Sequence, residues 1–532
     1  MQLVMGIYVN PDNEAFLTSL NTKPYVDKSS LIGVLNENVN TNHANICVSR
    51  PRRFGKTMAV EMAYAYYSKG CDSRKLFEKL EFSKSEGWDR YLNKFNVIRL
   101  DLISFFDRDG TTEDKLKLLN NKVLHELKKE FNSIDLSDAK DIIDAISVIS
   151  NETKEKFVII IDEYDFPIRT RATSQDLKPY LSFLNRLFKN SDLKNAIALA
   201  YLTGILPPIA DRVESKLNNF TQYSIVSPKQ MAPYFGFTSS EVEQLCEQYG
   251  LDYNECCRWY DGYKLSIDHK YTDIFNPQAV AEAIRNKECC SYWPETASYE
   301  SVSEQINRNT DGIKEAIIQM MTKESVPVNV KGFLNSLDKI ETRDDILTYL
   351  IHLGYLSYNA NDKTCRIPNN EILDRWGLIV SRASNYAKVN EVLAQSDQLL
   401  SDTLALKADK VAEGLRFAHS RIDTLLTYNN EATLQCAIFM AYFTAMEQYT
   451  ILKEVPAGEG IADLVFIPFV PNKPAIIIEL KVDKSPEVAL KQIDSRAYPQ
   501  SLAGYHGNIL KVGVNYDRKS KEHRCEIRKE SI

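Results

Sequence analysis

The chain has 532 residues, which suggests about three domains at roughly 150 residues each. Hydrophobic residues make up 44% and charged residues 26%, which is the composition of a globular protein and excludes a disordered, collagenous or low-complexity chain. Lysine and arginine number 65 against 72 for aspartate and glutamate, so the formal net charge is −7. The chain therefore cannot coat nucleic acid by bulk charge, and any nucleic-acid contact must be local.

The ten cysteines do not form the pattern of a disulfide scaffold or a zinc site. They include two adjacent pairs but no C-x-x-C, and the seven histidines are isolated. This usage favours a reducing, cytoplasmic compartment. The first basic residue is Lys23, so we expect no signal peptide. The charge-free stretch 432–446 is too short to span a bilayer and predicts a buried helix, so we expect no membrane partner.

Four short apolar runs alternate with helical patterns in the first part of the chain. They lie at 44–48, 96–100, 157–161 and 196–202. Short apolar runs between longer helices are typical of a parallel sheet that is buried on both faces. Residues 1–235 are therefore predicted to form an α/β domain.

The pattern changes twice along the rest of the chain. Residues 236–425 are predicted to be a mainly helical middle region with a hairpin near 355–368, and a small winged-helix-like lid is one interpretation of it. Residues 426–532 read helix, three strands, helix and strand, with strands near 451–456, 462–469, 474–481 and 508–516. This last part is predicted to be a separate α/β module.

A candidate phosphate site follows the first apolar run. Residues 50–57 read Arg-Pro-Arg-Arg-Phe-Gly-Lys-Thr and open a predicted helix at 58–67. Gly55 lets the backbone approach a phosphate, Lys56 can reach the outer phosphates, and Thr57 can hold Mg²⁺. The helix amino terminus adds its dipole. Arg50, however, stands where the usual loop has glycine.

The later strands of this domain supply polar groups that a nucleotide hydrolase would need. The third run ends in Asp162 and Glu163, which could sit beside Mg²⁺ and polarise the attacking water. The fourth run ends in Thr203, which could sense a γ-phosphate. Each motif alone could be a solvated strand end, whereas their order favours nucleotide binding. Whether the nucleotide is hydrolysed stays open, because no arginine finger is identifiable.

A second constellation lies in the last module. Glu479 and Lys481 are two residues apart on an apolar strand, so they share a face. Asp463 lies sixteen residues before Glu479, a spacing that allows a hairpin to bring the two acids together. Two carboxylates can hold Mg²⁺ at a scissile phosphate, and a nearby lysine can orient water. The alternative is a salt bridge at a strand end.

Three further residues are candidates for completing this second site. Glu431 starts the helix before the first strand of the module and could face the metal. Gln492 and Tyr498 follow on the next helix and could touch substrate phosphate, although both could equally be surface residues. From Glu431 to the end, 13 basic residues balance 13 acidic ones, so the module offers no broad basic surface for nucleic acid.

Taken together, these motifs resemble a family that joins an AAA-ATPase-like domain to a C-terminal PD-(D/E)XK nuclease-superfamily domain. The resemblance covers nearly the whole chain and rests on residues 25–29, 50–57, 161–165, 202–205, 217–220, 235–238, 259–263, 275–277, 462–464 and 479–485. It implies a P-loop NTPase-like parallel sheet, a helical middle region and a restriction-endonuclease-like α/β domain. Family members commonly have Gly-Arg-Ala-Asp where this chain has Gly-Ile-Ala-Asp at 460–463, which puts a substrate contact in doubt but not Asp463.

The resemblance implies the phosphate-site residues Lys56, Thr57, Asp162 and Glu163 and the nuclease triad Asp463, Glu479 and Lys481. Arg53, Gly55, Thr203 and Glu431 are expected from the local sequence alone. ATP would contact Arg53, Gly55, Lys56, Thr57, Asp162 and Thr203. Mg²⁺ would be held by Thr57 and Asp162 in the first site, and by Asp463, Glu479 and Glu431 in the second. The catalytic residues would be Asp463, Glu479, Lys481 and Glu163.

Three functional hypotheses follow from these expectations. The first is an ATP-regulated, Mg²⁺-dependent nuclease that hydrolyses DNA or RNA. The second is a nucleotide-dependent switch or binding protein whose nuclease-like module does not cut, and the third is a stand-alone ATPase that uses the module as a platform. A homo-oligomer stays open, as do bacterial defence and mobile-element roles, which are suggested by association only.

Overall fold

The computed structural model describes residues 6–170, 174–208, 217–267, 270–293, 298–308, 312–335, 339–422, 431–457, 460–470, 472–495, 505 and 507–530. The chain divides into two units. The first comprises Met1–Pro294 and Pro327–Ile372, and the second comprises Glu295–Val326 and Leu373–Ile532. The predicted domain boundaries after residues 235 and 425 stay predictions.

A five-stranded parallel sheet organises the first unit. Its strands are β1 (Asn45–Ser49), β2 (Asn96–Asp101), β3 (Phe157–Asp162), β4 (Ile197–Gly204) and β5 (Thr221–Tyr223). They lie in the order β2-β3-β4-β1-β5, and every neighbouring pair is parallel. The four predicted runs correspond to β1 through β4, whereas the three-residue β5 was not predicted.

Helices connect these strands and cover the sheet. They are α1 (Glu14–Asn21), α2 (Leu31–Asn36), α3 (Lys56–Tyr67), α4 (Arg74–Phe77), α5 (Ile103–Phe106), α6 (Thr112–Glu130), α7 (Ile142–Thr153), α8 (Phe166–Thr170) and α9 (Ser174–Lys189). Successive residues of β3 enter different cores: Ile159 and Ile161 join one hydrophobic cluster, and Val158 and Ile160 join another. Because a strand alternates its faces, an all-apolar run is what a sheet covered on both sides requires.

The middle region is mainly helical, as predicted. Its helices are α10 (Ser239–Tyr249), α11 (Tyr253–Tyr260), α12 (Pro277–Asn286), α13 (Ser298–Asn307), α14 (Ile313–Met321), α15 (Arg343–Leu353), α16 (Asn370–Arg382), α17 (Ala387–Leu393), α18 (Ser396–Leu404) and α19 (Ala408–Ile422). Threonine capping boxes begin α10 and α15, and Gly250 and Gly354 end them in the left-handed region.

Two small sheets accompany these helices. One contains β6 (Phe237–Thr238), β7 (Tyr263–Ile267) and β8 (Lys270–Phe275) in the order β6-β8-β7, and it was not predicted. The other contains β9 (Val326–Pro327), β10 (Ser357–Asn359) and β11 (Thr364–Arg366). The antiparallel pair β10 and β11 forms the hairpin that the sequence predicted near 355–368.

A mixed five-stranded sheet forms the C-terminal part of the second unit. Its strands are β12 (Tyr449–Ala457), β13 (Gly460–Pro468), β14 (Ala475–Val482), β15 (Ile509–Asp517) and β16 (Glu522–Glu530), and they lie side by side in chain order. Only β14 and β15 pair in parallel. Its helices are α20 (Glu431–Ala441) and α21 (Pro486–Ser495). The last strand, β16, was not predicted.

The predicted fold class is confirmed: an N-terminal parallel sheet with helices, a mainly helical middle region and a C-terminal α/β module. The apolar stretch at 432–446 forms α20 and a 3-10 helix at Phe443–Glu447. None of the helices within the described residues combines the length and the apolar character that crossing a membrane requires.

Candidate functional site

The first candidate site is the loop between β1 and α3. Gly55 has a φ of 84° and Arg53 a φ of 70°, so the loop turns sharply before Lys56 begins the helix. The Lys56 side chain is only 4% exposed, and its Nζ donates to the carbonyl oxygens of Arg50 at 3.2 Å and Pro51 at 3.0 Å. The ammonium therefore lies inside the curve of the loop, which is where a phosphate-binding lysine is needed.

Arg50, which replaces the usual glycine, is part of the protein core. It is fully buried, and its Nη1 donates to the backbone oxygens of Ser49 and Tyr223, each at 2.9 Å. Its guanidinium lies 5.5 Å from the ring centre of Phe235, and burial lowers the pKa of Arg50 to about 9. The arginine at this unusual position thus connects the loop to β5.

The predicted acids lie at the end of β3, next to Thr203 on β4. Asp162 is 3% exposed and accepts a hydrogen bond of 2.5 Å from the Thr203 hydroxyl. Glu163 has a φ of 51°, and its Oε1 lies 3.8 Å from the Lys56 Nζ. Burial raises the pKa of Glu163. Since β4 lies between β1 and β3, the structure brings Lys56, Asp162, Glu163 and Thr203 together at one edge of the sheet.

An arginine that the sequence interpretation missed holds Glu163. Arg169 Nη2 donates to Glu163 Oε2 at 2.5 Å, and its Nε donates to Asp165 Oδ2 at 2.8 Å. The three side chains are 8%, 15% and 0% exposed, so this is a buried network. Asp165 also accepts from the Leu206 amide at 2.8 Å. The spacing of four between Asp165 and Arg169 was a signal for their own contact, but not for the contact of Arg169 with Glu163.

A cleft of about 650 Å³ opens beside this loop, within the first unit. Arg53, Gly55, Lys56 and Thr57 line it, together with Glu163. Thr57 is exposed on the first turn of α3, and Arg53 is exposed while its Nη1 donates to a backbone oxygen at 3.3 Å. The volume lies within the range of about 300–1,000 Å³ that is usual for ligand pockets. The cleft can therefore hold a nucleotide whose phosphates meet Lys56 and the start of α3.

The second candidate site lies where β13 and β14 run side by side. Leu464 pairs with Ile478, which places Asp463 and Glu479 on neighbouring strands. Asp463 Oδ2 accepts a 2.6 Å hydrogen bond from the backbone amide of Leu480. Glu479 is only 1% exposed. The predicted hairpin therefore brings the two carboxylates to the same place on the sheet.

Lys481 and Gln492 complete the surroundings of Glu479. The Lys481 Nζ donates to Glu479 Oε1 at 2.8 Å, and Gln492 Nε2 donates to the same oxygen. Gln492 lies on α21, which packs on the face of β14 that carries both charged residues. A Cβ on Gly513 of β15 would lie 2.4 Å from the Pro486 carbonyl oxygen, so the glycine lets α21 approach closely.

A glutamine, missed in the sequence, contacts the other acid. Gln435 Nε2 donates to Asp463 Oδ1 at 2.8 Å from α20. It lies four residues after Glu431, so the two share one helix face, and this spacing was a signal for it. Glu431 begins α20, but its side chain lies outside the described residues, as does Tyr498. Their predicted contacts stay predictions.

The donor set of the second site fits Mg²⁺. The ion takes oxygen ligands and is usually held by one or two carboxylates, with water and substrate phosphate completing its shell. Asp463 and Glu479 are two such carboxylates on adjacent strands. Among the described residues, no group of three or more His, Cys, Asp or Glu side chains is placed to hold a metal.

Comparison with known proteins matches two parts of the chain to families. Residues 19–213 match the AAA-ATPase-like family, described as a predicted AAA-ATPase. Residues 429–526 match the PD-(D/E)XK nuclease superfamily. The chain therefore carries an AAA-ATPase-like domain of the nucleotide-binding type and a nuclease-like module, which confirms the resemblance predicted from its motifs.

The other two comparisons add little. No curated protein matches the chain. Among solved structures, the chain is similar to one described as "Structure of the Aeropyrum Pernix ORC2 protein (ADPNP-ADP complexes)". The sequence identity is 10% and the TM-score is 0.30. That match covers 69% of this chain and 97% of the other.

Proposed function

Because the chain joins an AAA-ATPase-like domain to a PD-(D/E)XK nuclease-superfamily domain, we propose that it is an ATP-regulated, Mg²⁺-dependent nuclease. The observation that carries the proposal is the grouping of Asp463, Glu479 and Lys481 on neighbouring strands. A buried strand seldom carries an acid that is 1% exposed, and such a carboxylate needs a partner. Here Asp463 and Lys481 lie beside Glu479, and these are the groups that phosphodiester hydrolysis requires.

The residues of the second site have distinct roles in this proposal. Asp463 and Glu479 would hold Mg²⁺, which when bound would supply Lewis-acid chemistry at the scissile phosphate. Gln435 and the Leu480 amide fix the two oxygens of Asp463. In the reaction, water attacks phosphorus and the bond to the leaving oxygen breaks. Lys481 stabilises the negative charge that develops on the phosphate oxygen during this step.

The first site would bind ATP and regulate cutting. Lys56 and the start of α3 hold the outer phosphates, and Thr57 and Asp162 hold Mg²⁺. Glu163 accepts the proton of the attacking water, and its raised pKa makes it a stronger base than an exposed glutamate once it is deprotonated. Arg169 sets the direction of the Glu163 carboxylate through their 2.5 Å contact. Arg169 is thus a positioning residue for Glu163 and not an arginine finger, because it does not line the cleft.

Cleavage of end-labelled DNA and RNA, single- and double-stranded, tests the proposal. The full chain is incubated with Mg²⁺, with and without ATP, beside Glu479→Gln, which keeps the shape and removes the charge. Glu487→Gln on the exposed start of α21 is the matched control. We expect metal-dependent cutting that Glu479→Gln abolishes and Glu487→Gln retains. Equal cutting by both variants would refute the catalytic assignment.

Regulation by ATP has its own variant. Lys56→Ala removes the ammonium from the loop, so cutting should no longer respond to ATP while the metal requirement stays. If Lys56→Ala responds to ATP as the parent does, the first site does not regulate the second.

A second candidate function is a nucleotide-dependent binding protein that does not cut. The neutral charge from Glu431 onward, 13 basic against 13 acidic residues, favours it. Mg²⁺-dependent binding without cleavage of any of the four substrates would support this alternative over the nuclease.

A further inference from the structure

A large polar cavity lies at the opposite edge of the N-terminal sheet from the ATP cleft. It has a volume of about 820 Å³ and lies at the amino ends of β1, β3 and β4. Asn45 begins β1, Lys156 precedes β3 and Ile197 begins β4. The ATP cleft lies at the carboxyl end of β1, so the two cavities are separated by the length of the strands. No residue lines both.

Asparagine dominates the lining of this cavity. The chain contains 37 asparagines. Seven of them line this one cavity: Asn40, Asn42, Asn45, Asn190, Asn195, Asn218 and Asn219. An amide side chain offers a donor and an acceptor together, which is the pattern that pairs with the edges of nucleic-acid bases.

Part of this amide capacity is used within the protein, and part is not. Asn40 Oδ1 accepts from the Lys156 Nζ at 2.8 Å, and Asn190 caps a short helix by accepting from the Asp192 amide at 3.0 Å. Asn219 donates to the Phe188 carbonyl at 2.9 Å, but its buried Oδ1 has no hydrogen-bond partner among the described residues. That oxygen is buried, whereas Asn195 and Asn218 are exposed and line the cavity, so their amides can donate to and accept from a ligand there.

The charged residues that line the cavity are all basic. Lys156, Lys189 and Lys194 line it, and none of the described lining residues is an aspartate or a glutamate. The whole chain carries a net charge of −7 and the C-terminal module is neutral, so a phosphate backbone needs a local basic site. This cavity is such a site.

We propose that this Asn- and Lys-lined cavity binds a single-stranded segment of nucleic acid, through residues that are not those of the cutting site. The choice of ligand rests on the proposed nuclease function. The lysines meet phosphates, and the amides meet base edges that only an unpaired strand exposes in full. The volume admits a short stretch of one strand and is too small for a double helix.

Fluorescence anisotropy with 5′-labelled 20-nucleotide DNA tests the proposal. The full chain carries Glu479→Gln to prevent cutting, and binding is measured over a range of salt concentrations. Lys156, Lys189 and Lys194 are then changed to alanine together. Since each phosphate contact contributes about 0.7 to the slope of log K against log salt for a single strand, we expect the slope to fall by about 2 and affinity at 0.15 M salt to fall on the order of 50-fold.

A matched triple variant controls for the loss of three positive charges. Lys117, Lys128 and Lys129 are exposed on α6 and do not line the cavity. Changing them to alanine should leave the slope and affinity close to those of the parent. Equal effects of the two triple variants, or no measurable binding by the parent, would overturn the proposal.

The amides have a separate readout. The double variant Asn195→Ala, Asn218→Ala should weaken binding without changing the salt slope, because no charge is removed. Unchanged affinity would overturn the role of the amides.

Labelled RNA of the same sequence shows whether the site prefers ribose or deoxyribose. The triple lysine variant should lose less affinity for duplex DNA than for single-stranded DNA. An equal loss for duplex would overturn the single-strand assignment.

These outcomes stay distinguishable from failure of the proposed nuclease. A chain that never cuts can still show the predicted salt slope, and a chain that cuts can fail to show it.

Discussion

Removing the charge of Arg169 should expose how strongly the buried acids of the first site depend on it. The guanidinium contacts Glu163 at 2.5 Å and Asp165 at 2.8 Å, and all three side chains are at most 15% exposed. Arg169→Met keeps most of the volume and deletes the charge. Both carboxylates then stay in a low-dielectric environment without their shared cation.

The expected loss is large because it is a loss of one partner from a buried pair. Such changes cost about 3–5 kcal/mol, chiefly because the remaining charge is left uncompensated. Asp165 is 0% exposed and retains the Leu206 amide as a donor, whereas Glu163 retains Lys56 at 3.8 Å. These remaining partners place the expected loss near the lower end, at about 3 kcal/mol in the free energy of unfolding.

A double-mutant cycle measured by urea unfolding separates the contact from general disruption. Arg169→Met, Glu163→Gln and the combined variant are compared with the parent. Once Glu163 is neutral, deleting the arginine should cost less, so the interaction energy should be about 1–3 kcal/mol. If Arg169→Met does not fold, Arg169→Lys keeps a charge with fewer donors and should lose part of the same coupling.

An interaction energy below about 0.5 kcal/mol would refute the reasoning, because sites that do not interact are additive within that limit. ATP turnover is the second readout: Arg169→Met should lower kcat more than it raises KM, since the arginine orients Glu163 and does not line the cleft.

Three further predictions concern packing, pH and hydrogen bonding. Gly513→Ala should destabilise the second unit by about 1–3 kcal/mol in thermal unfolding and should slow cleavage, because the new Cβ would clash with the start of α21. Gly332→Ala is the control; it has open space around it, so its stability should equal that of the parent. Burial lowers the pKa of His523 to about 4, so at this residue the folded state binds fewer protons than the unfolded chain between pH 6.5 and 4. The contribution of His523 to stability should fall by about 2 kcal/mol from pH 7 to 5, in addition to that of His352, whose pKa burial also lowers to about 4; a His523→Phe variant whose stability falls as much as the parent's would contradict this. Thr203→Val removes the donor to buried Asp162 and should cost about 1–3 kcal/mol in urea unfolding, and an unchanged midpoint would contradict this.

The residues that strand geometry controls were predictable. In a parallel sheet the carboxyl ends of strands meet at one edge, so Lys56 and Asp162 could be placed together from the order of apolar runs alone. Strand alternation likewise placed Glu479 and Lys481 on one face. These inferences need only the local period of the sequence, which is strong in buried strands.

The residues that tertiary packing positions could not be predicted from the sequence. Arg169 reaches Glu163 because α8 begins directly after the acid motif and turns the arginine back toward it, a direction that helical spacing alone does not give. β5 and β16 lack an apolar run: β5 has three residues, and β16 alternates charged with less polar positions at the sheet edge. In the sequence, Arg50 was only a departure from the usual glycine, and its burial against β5 becomes visible only in three dimensions.

Both candidate sites hold a buried acid with a cation of the same chain, and this has a consequence for substrate binding. Arg169 contacts Glu163, and Lys481 contacts Glu479. Arg169 does not line the ATP cleft, but a phosphodiester bound in the second site presents several negative oxygens to Lys481 and so competes with Glu479 for this cation. The carboxylate that loses its cation becomes a better ligand for Mg²⁺ or a better acceptor for a proton. We therefore expect metal affinity in the second site to rise when a phosphodiester is bound, and Lys481→Met should weaken this dependence in calorimetric Mg²⁺ titrations.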